Sequence, residues 1–319
     1  MFEDDHLIVV EKPEGMLSVS TSRGLNEVTA HSLLNDYINA TQPHRGNRDY
    51  NGERGNRGNG VDRGGWGNRG NGVNRGDWSD MENKGERGAR GNRRNCREAR
   101  VYIVHRLDRE TSGIMVFAKS EQVKHLLQDN WDNAVTRRGY VAVLNCSREM
   151  IPGPRVKWEA DEDGSQGKIT SWLKENSAFT VYSSARDNGG QLAITNFKMV
   201  DYNPQSRKAL MELALDTGRK NQIRVHMQEM GTPVLGDKKY FGENPTVLAE
   251  NKKARRLYLH AYALDFIHPI TREKMKFTTG IPRGFIAEVS APAGNQSEKA
   301  VRSSQKRSRG NKPQGRGKK

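Results

Sequence analysis

Apolar residues along this chain gather in short runs that polar and glycine-containing segments close off. Val101-Tyr102-Ile103-Val104 and Ile114-Met115-Val116-Phe117-Ala118 are rich in β-branched and aromatic side chains, the pattern of buried strands. Read in this way, the chain predicts strands near 6–11, 101–105, 114–118, 139–144, 193–202, 208–215, 257–266 and 273–278. Helices fit 28–40, 121–133 and 220–230. Strands outnumber helices and do not alternate strictly with them, which predicts an α+β fold on a mixed, largely antiparallel sheet and argues against a doubly wound one.

Two segments break the pattern. Residues 44–100 repeat Arg-Gly, Gly-Asn-Arg and Asn-Gly units with almost no aliphatic residues, and 293–319 are of the same kind. Such segments bury too little apolar surface to offset their conformational entropy, so both are expected to be disordered. The remainder, 1–292 without the insertion, reads as one catalytic-sized domain. Charge follows the same division. Residues 44–100 hold 14 basic against 8 acidic residues and 293–319 hold 9 against 1, so +14 of the net +15 lies in the two arms and the body is nearly neutral. A charge run alone is more often a solubilising spacer than a binding site. Trp66, Trp78 and Tyr50 among the arginines favour nucleic acid, because guanidinium and aromatic faces both stack on bases.

Several classes drop out. Two cysteines, Cys96 and Cys146, cannot build a disulfide framework and fit a reducing compartment. No apolar run reaches the ~20 residues that cross a bilayer, and the acidic start Met1-Phe2-Glu3-Asp4-Asp5 lacks the character of a signal peptide. The expectation is a cytoplasmic monomer without a membrane segment. His226, His260 and His268 are too scattered for a metal site. Gly231 to Gly236 has the glycine spacing of a phosphate loop, but Asp237 stands where that loop needs Lys. A tight turn supporting helix 220–230 is the better account.

Between the two strands flanking it lies His105-Arg106-Leu107-Asp108-Arg109-Glu110-Thr111-Ser112-Gly113, with one carboxylate between two arginines. In isolation, Asp108, Thr111 and Ser112 would merely shape a turn. Four further segments change that reading: Asp4 to Met16 with Lys12-Pro13-Glu14-Gly15, Arg138-Gly139-Tyr140-Val141-Ala142, Gly218-Arg219-Lys220-Asn221-Gln222-Ile223-Arg224-Val225-His226, and Gly236 to Gly242 joined to Leu259-His260-Ala261-Tyr262-Ala263-Leu264. Their content and order resemble the RluA-type RNA pseudouridine synthase family over about residues 2–43 and 101–285. The chain departs from the family pattern at Lys220 and Asn221, where Thr and His are common, and by the extra Phe241 before Gly242.

The resemblance implies a single bent, mixed sheet with an RNA cleft along its middle. It also implies a cofactor-independent isomerisation of uridine to pseudouridine in structured RNA. It makes Asp108 the nucleophile, attacking the base or the sugar's anomeric carbon, and Arg224 its charge partner. Tyr140 would stack on the flipped uracil, and Arg106 would fill the gap the uridine leaves. Arg219 and Lys220 are further RNA contacts expected from the basic motif. His105 is expected to be structural. With a first strand near residue 6, no N-terminal RNA-binding module is expected, and tRNA and large-subunit rRNA both stay open. The competing reading is a non-catalytic RNA-binding or ribosome-assembly factor acting through its Arg/Gly arms.

Overall fold

The computed structural model describes residues 1–20, 27–41, 100–146, 153–241 and 245–291. The expected insertion up to residue 99 and the tail, with Cys96, lie outside the described residues. The chain divides into two units, Met1–Asn39 with Ala99–Lys319, and Ala40–Glu98. The sheet and the cleft belong to the first.

Its elements run β1 (Phe2–Glu3), β2 (Leu7–Lys12), α1 (Ala30–Thr41), β3 (Tyr102–Ile103), β4 (Ser112–Ala118), α2 (Glu121–Gln128), α3 (Trp131–Ala134) and β5 (Val135–Asn145). Then come β6 (Lys157–Ala160), β7 (Gln166–Glu175), β8 (Val181–Ser184), β9 (Gln191–Asn203) and β10 (Lys208–Leu215). The chain continues with α4 (Gln222–Glu229), α5 (Pro245–Lys253), β11 (Leu259–Ile267), β12 (Lys274–Thr278) and α6 (Arg283–Ser290). Among the described residues the strands form a single 12-stranded open sheet in the order β1-β2-β4-β11-β5-β10-β9-β7-β6, with β3, β8 and β12 attached to β4, β7 and β11. The α+β, mostly antiparallel architecture is the expected one. Its mixed character comes from β4 and β11, which run parallel and set His260 beside Ser112 and Ala261 beside Gly113.

That parallel contact explains one glycine. Gly113 has φ +126°, and a Cβ there would lie 2.2 Å from the carbonyl oxygen of Ala261. Any other residue would push β11 off β4 directly after the Asp108 turn.

Helices pack on both faces. On one, Ile223, Met227 and Met230 of the α4 region meet Ala142, Leu144, Ile169, Phe197, Met211 and Leu213. On the other, Phe285 and Val289 of α6 cover Val141, Val143 and Leu210. A third cluster, with Leu107, Met115, Phe117 and Ala261, sits under the polar loop and seats α1 through Ala30 and Ile38.

Three expectations need correcting. The helix expected over 121–133 stops at Gln128, and after the single turn of α3 the chain becomes strand at Val135. Val135 faces the core, and its β-branched side chain with Thr136 suits a strand. Helix 220–230 begins only at Gln222, because Asn221 lies in the left-handed region at φ +54°. Strands β6 to β8 and helices α5 and α6 lie outside the predicted set; β6 has four residues of which only Trp158 is partly buried, too few for the alternation that marks a strand to show in sequence.

Candidate active site

The loop from β3 to β4 carries Asp108 into a cleft of about 480 Å³, lined also by Glu14, Arg106, Asn221, Arg224, Asp237 and Arg256. Backbone clamps hold that loop on both sides of the aspartate. Ser18 Oγ donates to the Leu107 carbonyl at 2.7 Å and accepts from the Leu107 amide at 3.1 Å. Lys12, 1% exposed, donates from Nζ to the carbonyls of Pro13 (2.9 Å), Met16 (2.8 Å) and Arg109 (3.1 Å). Burial lowers the Lys12 pKa to about 8, against the opposing pull of Asp108 and Glu110. Its three ammonium hydrogens match its three carbonyls, so the charged form loses no hydrogen bond in being buried.

Asp108 itself keeps 29% of its side chain exposed. Its Oδ2 lies 3.5 Å from Nη1 of Arg224, so the two expected partners do meet. They are not each other's strongest contact. Arg224 donates from Nε to Oδ2 of Asp237 at 2.7 Å and from Nη2 to Oδ1 at 2.9 Å, a two-point pair with a carboxylate that is wholly buried. Asp237 also accepts from the amides of Lys239 and Tyr240, both at 2.8 Å. The third guanidinium nitrogen, Nη1, is left to face Asn221 Oδ1 at 3.3 Å and Asp108. Burial works against the charge of Arg224, but the hydrogen bonds and charge of Asp237, with Asp108 behind them, raise its pKa and keep it protonated. Asp237 is therefore more than the turn residue expected from sequence.

Gln222 explains why α4 starts where it does. Its side-chain oxygen accepts from Thr217 Oγ1 (2.9 Å) and the Arg219 amide (3.0 Å), and its nitrogen donates to the Ile194 carbonyl and Thr195 Oγ1 (both 2.9 Å). The helix behind it is buried on every side from Gln222 to Met227, which aims Arg224 inward instead of at solvent. His226, held by Ser171 Oγ and Thr195 Oγ1 at 3.0 and 2.9 Å, is pushed down to about 3 by burial and stays neutral.

Tyr140 stands on β5 between the α4 core and the cluster beneath the loop. Burial, reinforced by the charge of Asp108, raises its pKa to about 12, so it is a neutral phenol beside the carboxylate. Arg106 is exposed on the cleft wall and, among the described residues, makes no ion pair. Arg219 and Lys220 are elsewhere: Arg219 donates to the Leu192 carbonyl at 3.0 Å, and Lys220 pairs with Glu175. Neither lines the cleft. His105 takes the structural place expected of it, accepting from the Val116 amide at 3.1 Å and packing on Trp131.

Lys238, Lys239, Arg255 and Arg256 line the cleft as well, and the sequence reading does not reach them. Arg256 pairs with Glu14 and donates to Ser112 Oγ at 2.7 Å, which in turn meets His260 Nδ1 at 2.7 Å. The one signal is the dipeptide Arg255-Arg256 directly before a strand, which by itself looks like a solvated strand entrance. Among the described residues, no group of three or more His, Cys, Asp or Glu is placed to hold a metal ion, and no helix is long and apolar enough to cross a membrane.

A profile of the RNA pseudouridylate synthase family matches residues 6–229. An uncharacterized RNA pseudouridine synthase of Bacillus subtilis is 33% identical over 179 residues, 56% of this chain and 52% of that protein. The tRNA pseudouridine synthase C of Pasteurella multocida is 31% identical over 197 residues, 58% of this chain and 75% of that protein. The chain spans about half the length of the Bacillus relatives it matches, 52% and 57%. Among solved structures, human RNA pseudouridylate synthase domain containing 4 shares the fold, with a TM-score of 0.53 and 20% identity over 90% of each chain.

Proposed function

The chain belongs to the RNA pseudouridylate synthase family, and we propose that it isomerises a uridine of structured RNA to pseudouridine, with Asp108 as the nucleophile. The observation that carries this reading is the charge arrangement around Asp108. A carboxylate in the cleft faces one nitrogen of a guanidinium whose other two are fixed by the buried Asp237.

The reaction exchanges the bond from C1′ to N1 for one from C1′ to C5. The hydrogen lost from C5 is balanced by one gained at N1, so no electrons enter or leave. An ionised carboxylate can add to the base or to C1′ and leave again unchanged. Arg224 would balance its negative charge while the bound nucleotide excludes water. The buried, neutral Tyr140 would supply a flat ring and a hydroxyl to the base. Extruding the uridine costs a few kcal/mol, and the exposed guanidinium of Arg106, a cleft residue, would recover part of it by stacking in the vacated position. The cleft's cations would take the flanking phosphates.

RNA transcribed with uridine tritiated at C5 tests the proposal, because formation of the C5–C1′ bond releases tritium to water. The wild-type chain should release it from tRNA or rRNA transcripts, and Asp108→Asn should release none while keeping its fold and RNA affinity. Release by Asp108→Asn above background would remove Asp108 from the chemistry. A wild-type chain that binds RNA but releases nothing would favour the non-catalytic reading.

A further inference from the structure

The turn joining β7 to β8 holds a large aromatic side chain that is mostly exposed. Phe179 is 60% exposed, and its backbone lies in the left-handed region at φ +57°, a conformation that bulky residues adopt only at a cost. Glycine or asparagine would fit that backbone better.

The turn is nevertheless rigid. Asn176 Oδ1 accepts from the amides of Ala178 (3.0 Å) and Thr180 (2.9 Å), and the Phe179 amide donates to the Asn176 carbonyl at 2.9 Å. Lys239, a cleft residue, donates from Nζ to the Phe179 carbonyl at 2.7 Å. Lys220 Nζ lies 5.9 Å from the Phe179 ring centroid. Two residues on, the Val181 amide donates to Tyr240 Oη at 3.0 Å, which also accepts from Asn221 Nδ2 at 3.1 Å. The Tyr240 ring lies 5.1 Å from the Arg224 guanidinium. The turn is thus tied to the cleft through Lys239 and to Arg224 through Tyr240. Of the two departures from the family pattern, Lys220 lies beside the ring and Asn221 meets the Tyr240 hydroxyl that holds Val181.

We propose that Phe179 is a stacking platform for an unpaired RNA base beside the target nucleotide, with Lys239 and Lys220 meeting the neighbouring phosphates. An exposed ring flanked by ammonium groups suits a strand of alternating bases and phosphates, since every base has a face to stack and every linkage a charge to neutralise. The inference rests on the chain acting on RNA.

Binding of a fluorescent tRNA transcript and of a short oligouridylate to the full chain, measured over a salt series, tests it. Phe179→Gly should weaken binding by about 5- to 150-fold, the equivalent of one base–aromatic stack, with an unaltered salt slope. Phe179→Trp should stay close to wild type and show quenched fluorescence with RNA. Lys239→Ala should instead flatten the salt slope. Phe179→Gly should melt no lower than wild type, because glycine accepts the turn without strain, so a loss of affinity is not a loss of fold. If the wild type binds RNA and Phe179→Gly binds it equally well, the platform is refuted. If Phe179→Gly leaves RNA affinity intact but changes the oligomeric state, the ring belongs to a protein contact and the proposal is overturned. A wild-type chain that neither binds nor modifies RNA would overturn the enzymatic reading instead.

Discussion

Asp237→Ala is the substitution that best separates support from chemistry. The carboxylate is wholly buried and Arg224 keeps only 9% of its side chain exposed, so truncation leaves a guanidinium without its two-point partner in a low-dielectric site. Breaking a buried pair in this way costs about 3–5 kcal/mol. For a body of this size each kcal/mol is about 2–4 °C in melting temperature, so the drop should be roughly 6–20 °C. Loss of the acceptor for the Lys239 and Tyr240 amides pushes toward the upper end. Turnover at a temperature where the variant remains folded should fall on the order of 10²-fold, because Arg224 is no longer aimed at Asp108. Asp108→Asn gives the contrast. Its pair with Arg224 is longer and partly solvated, so its stability should change by less than about 1 kcal/mol. A double replacement, Asp237→Leu with Arg224→Met, removes both charges and should recover much of the stability while staying inactive. Calorimetry and tritium release on these variants and the wild type decide the matter. Asp237→Ala melting within about 2 °C of wild type would show that the pair does not hold α4 and that burial leaves Arg224 no dependence on its partner.

Two further predictions concern pH and charge. His105, His226 and His260 have pKa values lowered by burial to about 4, 3 and 4 from 6.5. The unfolded chain therefore binds more protons than the folded one as pH falls below 6.5, and stability should drop by up to about 1.4 kcal/mol per pH unit for each histidine. Urea midpoints between pH 6.5 and 5 check this, and a flat profile there would mean that the three are solvated. Deleting 45–99 and everything after Ala293 removes nearly all the net charge. Both backbone groups of Val101 are tied to α1 side chains, its amide to Asn35 Oδ1 at 2.8 Å and its carbonyl to His31 Nε2 at 2.9 Å, so the cut ends can be joined by a short linker. The trimmed chain should keep turnover at saturating RNA, with a salt slope lower by about 0.9 for each phosphate that the arms neutralise in the full chain; an unchanged slope would make the arms passive.

What the sequence makes legible divides along sequence distance. Asp108, Tyr140 and Arg224 stand in compact motifs, and the strands around them carry strong apolar runs, so both are visible within windows of a few residues. Asp237 is not, because nothing local distinguishes a turn aspartate from one folded back onto Arg224. Arg219 and Lys220 adjoin Arg224 in sequence, but the left-handed Asn221 sets them outside the cleft, toward Leu192 and Glu175, a placement that no local pattern reveals. Strand β7 faces helix α4 with one side only, so half its residues are polar and its run looks weak. Helices α5 and α6 are short, and such elements owe their stability to packing more than to propensity.

The same distance rule explains how Asp108, the proposed nucleophile, is held. Leu107 and Arg109, the residues on either side of Asp108, are fixed by Ser18 and Lys12, which lie 89 and 97 positions earlier in the chain. From the other side Arg224 is set by an aspartate 13 positions later. A loop held at both flanking residues can keep a carboxylate at a fixed distance from its cation without making the carboxylate itself a buried, strongly bonded group. That division suits a nucleophile. Tight hydrogen bonds to Asp108 would lower its reactivity, whereas here the strong bonds fall on Leu107, Arg109 and Asp237, and the ion pair left to Asp108 is with a single nitrogen at 3.5 Å. The carboxylate stays oriented and open to the cleft, while the interactions that orient it are made by its neighbours.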